Sequence, residues 1–402
     1  MRWHRAAALV SLLPLLIYWR HFQLLFFFHD DWELLNGHAT QTLPQWLAEP
    51  FLGEGILPLF KLLWIAAVRS FGGSYMAMIV LLWLTHLAIA LLFGHILLRS
   101  GLPVNGASFA VLMFSLPWTQ LETLGWSMLW SAQLGLLFFF AAWNILLGLL
   151  ENPHTPPAAT GVYALCILAS GLSSSRSIIS GIVLAAFVLL HGTSVRHLWL
   201  CAISLLPPAI LTLSMWLFVP HHDAQLGPAV SYALYYFLLN PLYSLISFPG
   251  RTVDTRALLL LGTVKVLFIA WALFTAKRKS LTLLLTLLAF DLLTAVALGY
   301  ARSNLGVATT VSSRYQYISL LCFAPAVGLA LLSSRRQAQV IVLLISLGLF
   351  GYPWRTHVPL WAKWRGADIR LAIERKADGE RFDPSSLTAG RARELIRQYH
   401  LH

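Results

Sequence analysis

The chain has 402 residues, of which 58% are hydrophobic and 11% charged, with a formal net charge of +12. A soluble domain carries about 25% charged residues, so most of this chain is excluded from water and the expected class is an all-α, polytopic membrane protein. The positive surplus lies in short loops and a basic tail, which fits membrane orientation and anionic headgroups better than nucleic acid, for which no motif is present.

The first span is expected over about residues 6–28. Arg2, His4 and Arg5 precede it and set the N-terminus in the cytoplasm. Its apolar run lacks a cleavage site and reads as an uncleaved helix. "FFFHDDWELL", residues 26–35, then places Asp30 and Asp31 side by side at the outer end of that span. Acids there can mark the start of water or cap the next helix. Adjacent carboxylates also repel, which raises one pKa and suits a general base on a hydroxyl, or they hold a divalent cation, with Mg or Mn as candidates.

Residues 29–56 form an outer loop broken by Pro44, Pro50, Gly53 and Gly55. The segment over about 56–72 carries Lys61 and Arg69 near one helical face and reads as a helix lying in the outer interface. Further spans fit about 75–98, 105–120, 126–149, 158–172, 177–191, 198–219, 257–276, 280–300, 316–333 and 338–352, about eleven with the first. Loops assigned inside, such as "AKRKS" and "SSRRQ", are denser in Lys and Arg than those outside. Cys166, Cys201 and Cys322 all lie in apolar runs and imply neither disulfides nor a metal cluster. The division expected is a transmembrane catalytic domain, 1–352, and a basic extracytoplasmic tail, 353–402, whose last helix is amphipathic with an Arg-rich face suited to headgroups.

Three further constellations carry chemistry. In "PWTQLETLGWSMLW", Glu122 stands between Trp118 and Trp126 in an outer loop, either a solvated acid in an aromatic belt or a second carboxylate for a metal or sugar hydroxyl. In "GYARSNLGVATTVSSRYQY", Arg302 and Arg314 frame a Gly/Ser/Thr-rich outer loop; each suits a phosphate or snorkels to headgroups. Lys265 and Asp291 fall at similar depth on consecutive antiparallel spans, which predicts a structural ion pair. His221, His222 and Asp223 are a weaker cluster that could bind zinc.

The first span ending in an outer acidic pair, the Gly/Pro-broken loop, and the interfacial helix leading into "LTHLAIALLFGHILLRSG" together resemble the GT-C membrane glycosyltransferases. Relatives there include protein O-mannosyltransferases, aminoarabinose transferases and oligosaccharyltransferases. "FSLPWTQLETLGW" is similar to that family's hP-x-x-E loop, and "SSRY" to a pattern before a late span. The likeness covers the first 130 residues best and 299–330 next; "GEGILP" departs from it in carrying Glu54 and no Arg before Pro58.

The resemblance implies sugar transfer from a polyprenyl-phosphate donor to a glycan, lipid or protein acceptor at the extracytoplasmic face, inverting or retaining. The base or a metal-ligand role falls to Asp30 or Asp31, with Asp30 nearer the helix end and preferred. Glu122 is the additional catalytic candidate. Phosphate contacts fall to Arg314, with Arg302 or Lys61. His29, Trp32, Glu54, Trp126 and Tyr315 are candidates for acceptor or sugar contacts. Compact loops suggest a bacterial inner membrane. The competing readings are a transporter or flippase of a lipid-linked glycan, and a scaffold subunit with a decayed site.

Overall fold

The computed structural model describes residues 3–51, 55–152, 154–218, 225–243, 255–332, 354–382 and 386–402. Among these no β-sheet forms; the architecture is all-α. Among the described residues, five helices are long and apolar enough to cross a membrane: Tyr75–Arg99, Ser127–Glu151, Val195–Phe218, Leu258–Thr275 and Arg278–Leu305. The chain is thus an all-α integral membrane protein. The expected last span at 338–352, Glu54, and the cluster His221, His222 and Asp223 lie outside the described residues.

The first span is not one helix. α1 (Trp3–Val10) stops, and short turns Leu13–Ile17 and Trp19–Phe22 follow. Pro14 lacks the N–H that would bond to the carbonyl of Val10, so the break falls there. Residues 25–28 then lead, without regular structure, into α2 (Asp30–Thr40). Asp30, Asp31 and Glu33 fill the first turn of α2, where the helix dipole favours acids. α3 (Leu43–Ala48) follows with a Thr42–Gln45 capping box. A helix, α4 (Pro58–Ser70), forms in the segment expected to be interfacial, but Lys61 is buried and Arg69 exposed, so the two do not share a surface.

The spanning core is built on α5 (Tyr75–Arg99), α6 (Val104–Ser115) and α7 (Trp130–Glu151). Phe93 packs on Phe114 and Phe140, and Phe139 on Trp143, inside one continuous apolar cluster. α8 (Pro157–Ser173) and α9 (Ile179–His191) are joined by a tight turn, Ser175–Ile178, and α10 (Val195–Phe218) returns beside them. α11 (Leu226–Leu239) lies where the sequence suggested only a loop; its Gly and Pro at the start and three tyrosines disguise an apolar helix. It sits so closely against the helix carrying Gly299 that a Cβ there would come within 2.4 Å of the Ala229 carbonyl. α12 (Thr255–Thr275) and α13 (Arg278–Arg302) hold the predicted ion pair: Lys265 Nζ donates to Asp291 Oδ2 at 2.7 Å and to the Phe237 carbonyl of α11 at 2.6 Å. α14 (Ser313–Leu332) completes the described bundle.

The C-terminal residues fold back onto the acid-bearing end. α15 (Asp368–Arg375) and α16 (Ala389–Tyr399) share one apolar core with Phe26, Trp32 and Trp83. Phe382 packs edge-on against Trp32, Tyr399 Oη meets His38 Nδ1 at 2.6 Å, and the Tyr75 N–H donates to the His402 carbonyl at 3.0 Å. The buried side of α16 (Ala389, Ala392, Leu395, Tyr399) therefore faces protein. The tail lies on the same side of the bundle as Asp30.

Candidate active site

Asp30 and Asp31 are neighbours with opposite surroundings. Asp31 is fully buried, and both its oxygens are engaged: Oδ1 accepts from the Ser127 hydroxyl at 2.7 Å and Oδ2 from the Phe28 N–H at 3.0 Å. Ser127 in turn accepts from the Trp64 indole at 3.1 Å. Burial pushes the Asp31 carboxyl up to about 7, although Ser127 and Phe28 oppose the rise. Asp30 keeps 9% of its side chain exposed and bonds the His29 ring through Oδ1. His29 is half exposed, and its hydrogen bond to Asp30 raises its pKa against the opposing effect of burial. Its backbone has φ 48°, a left-handed conformation rare outside glycine, which turns the chain sharply and aims Asp30.

Glu122 sits across from this pair. Its Oε2 accepts from the Arg314 N–H at 3.2 Å, at the start of α14, and its Oε1 lies 3.8 Å from Arg365 Nη2. Arg314 stands over the Tyr315 ring at 5.3 Å, and Arg176 over the same ring at 4.9 Å. Arg302, at the end of α13, and Arg314 are both within electrostatic range of Asp30. Three guanidiniums thus gather about one buried tyrosine, an arrangement that a bound anion relieves. Trp126 closes the near side: its indole donates to the Phe28 carbonyl at 3.2 Å and its ring packs edge-on to His29.

The structure brings Asp30, Asp31, His29, Glu122, Trp126, Arg302, Arg314 and Tyr315 together. Two candidates sit apart from them. Lys61 is buried with its ammonium on the carbonyls of Trp46 and Glu49, at 2.5 and 2.8 Å, so it ties α4 to α3. Burial lowers it to about 8, partly offset by Glu49. Trp32 is fully buried; its indole donates to the Phe27 carbonyl at 3.0 Å and its ring packs in the core, facing no open surface.

Two site residues escaped the sequence. Arg176 lies in "GLSSSRS", a small-residue turn with the same make-up as the Arg302–Arg314 loop, and that likeness was its signal. Arg365 comes from the tail and had no local signal beyond the flanking tryptophans of "WAKWRG". Among the described residues no three His, Cys, Asp or Glu side chains group so as to hold an ion, and each Asp31 oxygen accepts one protein donor.

No protein-family model matches the chain, and no curated protein matches it. The structure is similar to that of the archaeal oligosaccharyltransferase AglB from Archaeoglobus fulgidus in complex with an inhibitory peptide and a dolichol-phosphate, at a TM-score of 0.48 and 15% identity. That similarity covers 100% of this chain, which spans 59% of the other.

Proposed function

We propose that the protein is a membrane glycosyltransferase that moves a sugar from a polyprenyl-phosphate donor to an acceptor on the side of the membrane where Asp30 lies, taken as extracytoplasmic. The observation that carries this reading is the meeting of a partly open carboxylate, Asp30, with Arg176, Arg302 and Arg314 at one end of the bundle. A transporter would be expected to concentrate its charge at mid-membrane; here Lys265, inside a span, is engaged by the Asp291 carboxylate and the Phe237 carbonyl.

In this mechanism an acceptor hydroxyl gives its proton to Asp30 as its oxygen bonds to the anomeric carbon. The bond from that carbon to the phosphate oxygen breaks, and polyprenyl phosphate leaves with the electron pair. Arg314 and Arg302 hold the charge that develops there, with Arg176 behind Tyr315. Asp31 fixes the turn through Ser127 and Phe28, and Trp126 with His29 offers a face for the sugar. The prenyl chain lies among the spanning helices, so the enzyme and its donor share the membrane.

The test is transfer from a labelled polyprenyl-phosphate sugar by purified protein, comparing wild type with Arg314→Gln. Loss of one phosphate guanidinium should cost about 10²–10³ in turnover. Equal turnover would remove Arg314 from the reaction.

A further inference from the structure

Arg365 reaches the site from the far end of the chain and is held there by unusual means. It lies in a single π-helical turn, Lys363–Ala367, a feature often found at functional positions. Its carbonyl accepts from the Phe26 N–H at 2.9 Å, four residues before Asp30. The next residue must be glycine: a Cβ on Gly366 would stand 1.8 Å from the Leu24 carbonyl. The guanidinium is stacked over Phe28 at 3.4 Å and Trp361 at 4.1 Å. Gly125 leaves room for the Trp361 ring, whose Nε1 would be 2.9 Å from a Cβ there.

So much packing fixes a cation whose own bonds are incomplete. Its nearest carboxylate, Glu122, is 3.8 Å away, beyond hydrogen-bond distance. Arg365 Nη1 is buried with no hydrogen-bond partner, and so is Arg314 Nε. Glu122 accepts from the Arg314 backbone N–H with one oxygen and faces the Arg365 guanidinium with the other. Two buried guanidinium donors from different parts of the chain are thus left without acceptors, and buried donors are rarely left so.

We propose that Arg365, with Arg314, binds an oxyanion of the substrate, so that the C-terminal segment is part of the binding site. The class of ligand is a phosphate or carboxylate oxygen. Identifying it as the donor's phosphate rests on the glycosyltransferase reading; an anionic group on the acceptor has the same chemistry. Binding and tail docking are then linked: what binds Arg365 must also tighten the segment that carries it.

The test measures binding of a sugar-free polyprenyl monophosphate in detergent micelles, and separately of inorganic phosphate, to the full-length protein. The variants are Arg365→Gln, Arg365→Lys and, as a control, the exposed Arg397→Gln. Arg365→Gln should weaken polyprenyl phosphate binding at least about tenfold, Arg365→Lys less, and Arg397→Gln not at all. Polyprenyl phosphate bound equally by wild type and Arg365→Gln overturns the proposal. Arg365-dependent binding of inorganic phosphate alone keeps the oxyanion site and discards the lipid-donor reading. Binding of neither by wild type overturns both. A second measurement needs no variant: hydrogen exchange on the wild type, where bound polyprenyl phosphate should slow the amides of residues 361–370. Unchanged exchange on saturation with ligand also overturns the proposal.

Discussion

Two adjacent aspartates acquire different chemistry because one turn of backbone gives them different neighbours. Asp31 has both oxygens filled by protein donors and is sealed from water, whereas Asp30 touches His29 at the rim. The folded protein keeps a proton on Asp31 up to about pH 7, against a value of 3.8 without burial. The folded state therefore binds more protons than the unfolded chain between those values, and its stability falls as pH rises through that window. Thermal melts in detergent should show this slope in the wild type and a flatter one in Asp31→Asn. Identical slopes would mean that Asp31 is ionised on burial. The doublet was legible in the sequence as two acids, one with a raised pKa; that Asp31 would be the buried one was not, because Ser127 and Trp64, which enclose it, lie far along the chain.

At the scale of helices, the ion pair of α12 and α13 shows what a sequence reveals best. A charge in an apolar span needs a partner, and equal depth on antiparallel helices named it. The structure adds a third helix, since Lys265 also donates to Phe237 of α11. Removing one member of such a pair strands the other and costs about 3–5 kcal/mol. Lys265→Asp and Asp291→Lys should each sharply lower the yield of monodisperse protein, and the double swap should recover part of it, limited by the carboxylate then facing Phe237. A double swap no better than either single one would show that the pairing does not hold these helices together. α11 itself was missed because its glycine, proline and tyrosines read as loop, and the broken first span because length and hydropathy say nothing of where Pro14 interrupts the backbone hydrogen bonds.

For the molecule as a whole, the two ends of the chain meet. Residues 354–382 and 386–402 pack on α2, on Gly73 and on Phe26, and deliver Arg365 to the site. An amphipathic tail looks the same in sequence whether its apolar side faces lipid or protein, so only the fold reveals that partner. Gly366→Ala should undock this segment, seen as faster proteolysis after residue 354 with the spans left intact; unchanged cleavage would mean the close approach to Leu24 is not needed. Cysteines placed at the exposed Gln45 and Gln398, with the native cysteines removed, should react with an impermeant maleimide from one side of the membrane, and labelling from opposite sides would contradict the shared face. The central claim is that Asp30 is the base of a glycosyl transfer, and the most direct measurement is single-turnover transfer from a labelled polyprenyl-phosphate sugar by Asp30→Asn. The expected result is a loss of about 10²–10⁴ in rate with donor binding retained; wild-type rates in Asp30→Asn would contradict it.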